Sequence, residues 1–331
     1  MDIFVSICTP TFNRRPFFPS IIQCYLNQTW SKDKMEWIII DDGTDKIEDL
    51  IVGIPGVKYF KYDTQMVLGK KRNLMHEKCS GNIIIYMDDD DYYPSTRVSH
   101  AVETLVANPH AMCAGSSEMH IYFKHIDKMI QFGPYGPNHS TAATFAFRKE
   151  LLLTCKYDDT AALAEERDFL KNYTIPFVQL CTTDSILVFS HSHNSFDKRK
   201  LLDQPDNKFM KESTKCVTDF IKNDPEIVQF FMNDIDELLF NYEPGKPEHK
   251  KEVLNQLNEL TIRRNAEKQM RQLYEPRLHE LLKENAELKK DNGELKKDNT
   301  ELETKNTYLE GKIREVISNA IAQHNNRLMQ K

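Results

Sequence analysis

The chain opens on an alternation of wholly apolar runs and amphipathic stretches. Residues 3–8, 37–40, 57–62 and 83–87 read as strands. Residues 16–28 place Phe17, Ile21, Ile22, Tyr25 and Leu26 at helical spacing, with a proline near the start, and residues 69–79 read as a second helix. Strands apolar on both faces and separated by helices predict a parallel sheet covered on both sides. Right-handed crossovers make it a doubly wound, Rossmann-like half. Over residues 112–147 apolar and polar positions alternate, broken by Gly133-Pro134 and Gly136-Pro137, which predicts antiparallel strands and a loop. A helix over 161–172 and strands at 177–181 and 186–189 follow. Residues 205–273 read as helical, punctuated by Pro225, Pro244 and Pro247.

From Pro276 onward the pattern changes. Only 17 of the last 56 residues are apolar, too few for a globular core. Leu281, Leu288, Leu295, Leu302 and Leu309 recur every seven residues, and Val316 continues the series. With these at d, Asn285, Asn292, Asn299, Asn306 and Ile313 fall at a, which is a coiled-coil seam. In a parallel pair Glu284 attracts Lys289 of a second copy, Asp291 attracts Lys296 and Lys305 attracts Glu310, whereas Asp298 repels Glu303. Three of four contacts favour a parallel homodimer through residues 278–320. Gly293 and Gly311 keep a lone solvated helix open as the alternative. The expected division is 1–204 for the α/β domain, 205–275 for a helical extension and 276–331 for the leucine-zipper-like tail.

Composition narrows the class. The 331 residues carry a net charge of −6, which argues against a nucleic-acid partner. No window holds about 18 uninterrupted apolar residues, so no membrane span is expected. The seven cysteines are odd in number and form no CxxC, which favours reduced, buried thiols and a cytoplasmic address.

The chemistry concentrates at strand exits. Asp88-Asp89-Asp90-Asp91 follows the strand at 83–87. Ligands bind at that end of open α/β sheets. Four carboxylates repel one another unless a cation or solvent compensates, and oxygen ligands of this kind suit Mg2+ or Mn2+. A solvated acidic turn is the plain alternative. Tyr86-Met87-Asp88-Asp89 also spells a polymerase motif, but the acidic balance and parallel pattern argue against that reading. Pro10 to Arg14 follows the first strand, Asp41-Asp42-Gly43 the second, and Gly69 to Asn73 opens a helix shortly after the third. In a parallel sheet these exits converge on one edge.

VSICTPTFNR, IIIDDGTD, LGKKRN and GNIIIYMDDDDYYP, in that order, resemble the signature of GT-A fold, family 2 glycosyltransferases over roughly residues 3–200. The resemblance implies a mixed, mainly parallel α/β sheet of GT-A type, followed here by the helical segment and the long C-terminal helix. It implies that Asp88-Asp89-Asp90 is the DXD element, with Asp90 on the metal and Asp88 on the metal or donor ribose. It assigns Asp41 and Asp42 to the nucleobase, Thr9, Pro10 and Asn13 to the uridine pocket, and Arg72 and Asn73 to the donor-side helix. Ala164-Glu165-Glu166-Arg167-Asp168 is similar to the family's Glu-Asp motif beside the acceptor, so the base is expected at Glu166, with Glu165 and Asp168 as alternatives. A late histidine, His191 or His193, is expected to complete the metal shell, with Lys198, Arg199 and Lys200 near the diphosphate. His139 is a candidate for lining the acceptor cleft.

The implied activity is inverting, metal-dependent transfer of a sugar from a nucleotide sugar, UDP-linked by preference, to a hydroxyl of a glycan or protein. The layout, including the TAALAEERDFLKNYTIPF and FSHSHNSFDKRKLL stretches, is similar to glycosyltransferases of giant DNA viruses. That similarity implies infected-cell cytoplasm or virion as the setting. Two rival classes stay open: a sugar nucleotidyltransferase, and a non-catalytic sugar-nucleotide scaffold dimerised by its tail.

Overall fold

The computed structural model describes residues 2–163, 166–203 and 207–329. Its strands are β1 (Val5–Thr11), β2 (Met35–Asp41), β3 (Val57–Lys61), β4 (Ile83–Tyr86), β5 (Cys113–Gly115), β6 (Met119–Phe123), β7 (Lys128–Phe132), β8 (Ala146–Arg148), β9 (Phe177–Gln179), β10 (Val188–Ser190) and β11 (Met210–Glu212). Its α-helices are α1 (Phe18–Leu26), α2 (Leu68–Lys78), α3 (Arg97–Ala107), α4 (Glu166–Phe169), α5 (Val217–Phe220), α6 (Pro225–Gln229), α7 (Ile235–Phe240) and α8 (Lys251–Met329). Residues 1–258 form one compact unit and 259–331 a second.

The main sheet has the order β3-β2-β1-β4-β8-β5-β9. Strands β3, β2, β1 and β4 run parallel, β8 is antiparallel to both β4 and β5, and β5 runs parallel to β9. This is the expected mixed, mainly parallel sheet of GT-A type, followed by helices and a long C-terminal helix. Period-two alternation explains its two covers. Ile7, Trp37, Ile39 and Ile85 pack into the layer of α1 and α3, with Phe18, Ile21, Val98 and Leu105. Cys8, Ile38, Ile40, Ile84 and Tyr86 pack the other way, with Met75 of α2 and Phe147. A second sheet, β10-β6-β7-β11, carries the antiparallel β6–β7 and β7–β11 pairs.

Three expectations need correcting. Residues 205–273 are not wholly helical, because β11 pairs with β7 and only short helices follow before α8. The long helix begins at Lys251 and runs through Pro276. The helix expected over 161–172 is confined, among the described residues, to α4. The backbone before it bonds to other elements instead: the Ala161 carbonyl accepts from Gly69 N–H at 2.8 Å, and Ala162 N–H donates to Gln256 at 2.9 Å. Asp158 caps Thr160 N–H at 2.8 Å, which closes a turn there.

Candidate active site

β1, β2, β3 and β4 end at one edge of the main sheet, and the segments that follow β1, β3 and β4 line a cavity of about 1170 Å3. Pro10, Arg14, Lys71, Arg72, Asp88, Asp89, Asp90 and Lys250 are on its wall. Tyr93 sets the acidic turn, its hydroxyl accepting from Asp88 N–H at 2.8 Å.

The cations that offset these carboxylates come from the protein itself. Arg14 is buried, with Nε 3.7 Å from Asp89 and Nη2 3.7 Å from Asp90. Arg72 lies 3.8 Å from Asp88 and stacks over the Tyr86 ring at 4.4 Å. Burial, the Asp90 charge beside it and the weaker opposing pull of Arg14 leave Asp89 with a pKa raised to about 7. Asp90 goes the other way: burial raises it, but His191, Arg14 and Lys198 together hold it well below the usual carboxylate range. Asp91 is pushed up by burial, and its buried Oδ1 has no hydrogen-bond partner among the described residues. Burial and Arg14 lower Lys250 to about 7, against the pull of Asp89 and Asp90. Its Nζ donates to Ser195 Oγ at 2.5 Å.

Several of the expected donor-side residues are occupied in building the wall. Thr9 Oγ1 donates to the Met87 carbonyl at 2.6 Å and accepts from Trp37 Nε1 at 2.8 Å. Asn13 has φ 52°, and its Oδ1 accepts from the Thr44 and Asp45 N–H groups at 2.7 and 2.9 Å. Its Nδ2 donates to the Pro244 carbonyl at 2.9 Å. Asp41 accepts from Gly43 and Ile47 N–H and from the Tyr59 hydroxyl at 2.7 Å. Asp42 accepts from Lys71 and, at 2.6 Å, from Met66 N–H. Asn73 pins residues 157–159, donating to the Tyr157 carbonyl and accepting from its N–H. Pro10, Arg72, Asp88, Asp89 and Asp90 are the expected residues that reach the cavity.

The two late histidines separate cleanly. His193 Nε2 donates to the Tyr242 carbonyl at 2.7 Å, and its Nδ1 lies 3.0 Å from Ser192 Oγ. His191 Nε2 lies 3.4 Å from Asp90 Oδ2, and burial lowers its pKa to about 4, so a neutral imidazole faces the carboxylate. Among the described residues no three His, Cys, Asp or Glu side chains gather as a metal cage. His191 Nε2 also lies 2.7 Å from Asn194 Nδ2, so a divalent ion beside Asp90, taking its remaining ligands from phosphate and water, would have to displace that amide to reach the imidazole. Of the basic run behind them, Arg199 pairs with Asp197 at 2.9 Å and Lys200 is exposed, so only Lys198 acts on the aspartates.

Leu163 lines the cavity, and Glu166, which begins α4, is not among its lining residues. Glu165 lies outside the described residues, and Asp168 is exposed on α4. Phe169 anchors this helix, stacked on Tyr157 at 4.3 Å and 6.0 Å from His76. Lys171, Asn172 and Tyr173 then take left-handed backbone, with φ of 49°, 56° and 62°. Such conformations cost roughly 1–2 kcal/mol per residue. Asn172 is held there by Arg167, whose Nε donates to its side chain at 2.9 Å and whose carbonyl accepts from its N–H at 2.8 Å.

Arg14, Lys71 and Lys250 escaped assignment from sequence. Arg14 and Lys71 sit inside the motifs quoted above. Lys250 carries no local signal, because contacts with residues far away in the chain bring it to the site.

The fold and the site define a sheet-edge cavity with acidic and basic walls. Residues 6–157 match the family described as Glycosyl transferase family 2. An uncharacterized glycosyltransferase of Haemophilus influenzae is 30% identical over 117 residues, covering 34% of this chain and 46% of that protein. The chain thus spans about half the length of the curated relative it matches. Among solved structures, S. aureus TarS in complex with UDP-GlcNAc is 16% identical with a TM-score of 0.47, covering 76% of this chain and 70% of that one. The mannosyltransferase PcManGT from Pyrobaculum calidifontis, in complex with GDP-Man and Mn2+, is 14% identical with a TM-score of 0.45, covering 56% of each chain. Among the described residues no helix is long and apolar enough to cross a membrane.

Proposed function

We propose that this chain transfers a sugar, with inversion, from a nucleotide sugar to a hydroxyl group of an acceptor, with UDP as the carrier. The cavity carries the reading: Asp88, Asp89 and Asp90 share its wall with Arg14, Lys71, Arg72 and Lys250. A polyanionic diphosphate is a chemical match for that ring of cations. Asp90 and His191 are the residues that would hold Mg2+ or Mn2+, with Asp88 beside them. Such an ion supplies Lewis-acid stabilisation of the departing diphosphate.

Glu166 takes the proton from the acceptor hydroxyl as its oxygen attacks the anomeric carbon. The bond to the diphosphate breaks on the opposite face, which inverts the centre. Placement within hydrogen-bond reach of that hydroxyl matters before its pKa. Arg14, Arg72 and Lys250 offset the negative charge released on the leaving oxygen. The tail pairs two copies in parallel through residues 278–320, and the setting is cytoplasmic.

The test is a screen of UDP-, GDP- and dTDP-sugars with Mn2+, scoring nucleoside diphosphate release and thermal stabilisation. UDP release with a raised melting temperature is expected. Pyrophosphate release from a nucleoside triphosphate would identify a nucleotidyltransferase instead. Stabilisation without turnover for any donor or acceptor would identify a scaffold.

A further inference from the structure

A cluster of rings stands beside the turn that ends α4. His139 meets Tyr135 at 4.8 Å and Tyr173 at 5.0 Å between ring centroids, and Tyr135 also meets Phe209 at 5.0 Å. Tyr135 is 37% exposed, and the other three are half-buried. Buried aromatic pairs elsewhere in the unit, such as Phe145 with Phe169, are sealed from water. These rings are not, yet the segments bearing them are held firmly. Gly133 N–H donates to the Phe209 carbonyl at 2.8 Å, and the Gln179 side chain donates to the Pro137 and His139 carbonyls at 2.8 and 3.0 Å.

The polar atoms of the cluster are uncommitted. The buried His139 Nδ1 has no hydrogen-bond partner among the described residues. Among the described residues neither the Tyr135 nor the Tyr173 hydroxyl has one either. Tyr173 sits in the left-handed turn seven residues after Glu166, and burial followed by the Glu166 charge raises its phenol pKa. The cluster thus adjoins the short element that carries Glu166.

We propose that Tyr135, His139 and Tyr173 form a platform for the acceptor, and that the acceptor is a glycan with a pyranose ring at its accepting end. A pyranose presents an apolar C–H face and a rim of hydroxyls. Aromatic faces carry negative charge that attracts polarised C–H groups. The Tyr135 and Tyr173 hydroxyls and His139 then meet the sugar's hydroxyl rim. A serine or threonine side chain has no ring to lay on such a surface. The proposal rests on Glu166 as the base, because α4 and the turn that ends it carry Glu166 and Tyr173 together.

The experiment uses full-length Glu166→Gln protein, which stops turnover, with UDP and MnCl2 present. Methyl pyranosides and short oligosaccharides are the probes, read by saturation-transfer NMR and calorimetry. At least one pyranoside is expected to bind, with ring-proton saturation. Tyr135→Ala and Tyr173→Ala are each expected to weaken its Kd about tenfold, while Tyr173→Phe, which keeps the ring and loses one hydroxyl, weakens it only about threefold. Tyr135→Ala, on an exposed loop, serves if Tyr173→Ala fails to fold. Unchanged affinity in a folded Tyr135→Ala/Tyr173→Ala protein overturns the platform. So does wild-type transfer to a serine peptide with no pyranoside bound. The base assignment is judged separately: transfer surviving Glu166→Gln overturns that, while the binding data still decide the platform.

Discussion

Gly69 in α2 and Gly293 and Gly311 in α8 are all glycines in helices, yet they answer to opposite constraints. At Gly69 a Cβ would overlap the Asp158 carbonyl, and the residue's own N–H donates to Ala161 at 2.8 Å. Around Gly293 and Gly311 there is open space. The same contrast runs through the two units. In residues 1–258 most of the described apolar positions find partners within the unit, and Trp37, Tyr86 and Phe147 are fully buried. In residues 259–331 Leu281, Leu288, Leu295, Leu302 and Leu309 are all exposed. An apolar pattern of period two is satisfied by its own chain here. The pattern of period seven calls for a surface that this unit does not supply.

The sharpest way to break this contrast is at the acidic edge. Asp90→Asn is expected to lower kcat/KM about 1000-fold, worth about 4 kcal/mol, in a sugar-release assay, while leaving the tail's association unchanged. Phe169→Ala, which removes the ring that anchors α4, should cost about 3–5 kcal/mol of unfolding free energy in the first unit, measured by urea titration. Leu288→Arg with Leu295→Arg addresses the other unit. It should weaken self-association roughly 100-fold by light scattering and leave the first unit's melting temperature in place. A wild-type protein that is already monomeric at high concentration would remove the seam from the account.

A fourth test uses pH. Burial, with a further push from Arg72, depresses His76 to about 3, against an ordinary 6.5. The unfolded chain therefore binds a proton at pH values where the folded one does not. Stability from this group is full above 6.5 and falls as pH drops from there towards 3. The loss by pH 5 is about 2 kcal/mol, read by urea unfolding at pH 7.5 and 5. His76→Gln should flatten that slope. The smallest effects sharpen the glycine comparison directly. Gly293→Ala and Gly311→Ala should each stabilise the tail helix by about 1 kcal/mol in circular-dichroism melts. Gly69→Ala should destabilise the first unit.

Legibility in the sequence followed the range of the interactions. The strands β1, β2 and β4 were readable because burial on both faces leaves unbroken apolar runs. Their exits, and the acidic cluster with them, followed from the parallel arrangement. The extent of α4 was not readable, since its neighbours give their backbone groups to Gly69 and Gln256. β11 is three residues long and alternates too briefly to stand out. Lys250 enters the cavity through contacts that no nearby residue announces. Asn13 offered a partial signal, because asparagine tolerates left-handed backbone and so suits a bracing turn.

Arg14 joins the beginning of the chain to its later parts. Its guanidinium donates to the carbonyl of His193 at 2.6 Å and to that of Gly245 at 3.0 Å. A nascent polypeptide emerging from the ribosome can pair its first strands early, but it cannot seat Arg14 until residue 245 is out. Synthesis stalled before that point leaves Asp89 and Asp90 without a seated Arg14. The acidic edge is thereby completed late in translation, after the sheet that carries it.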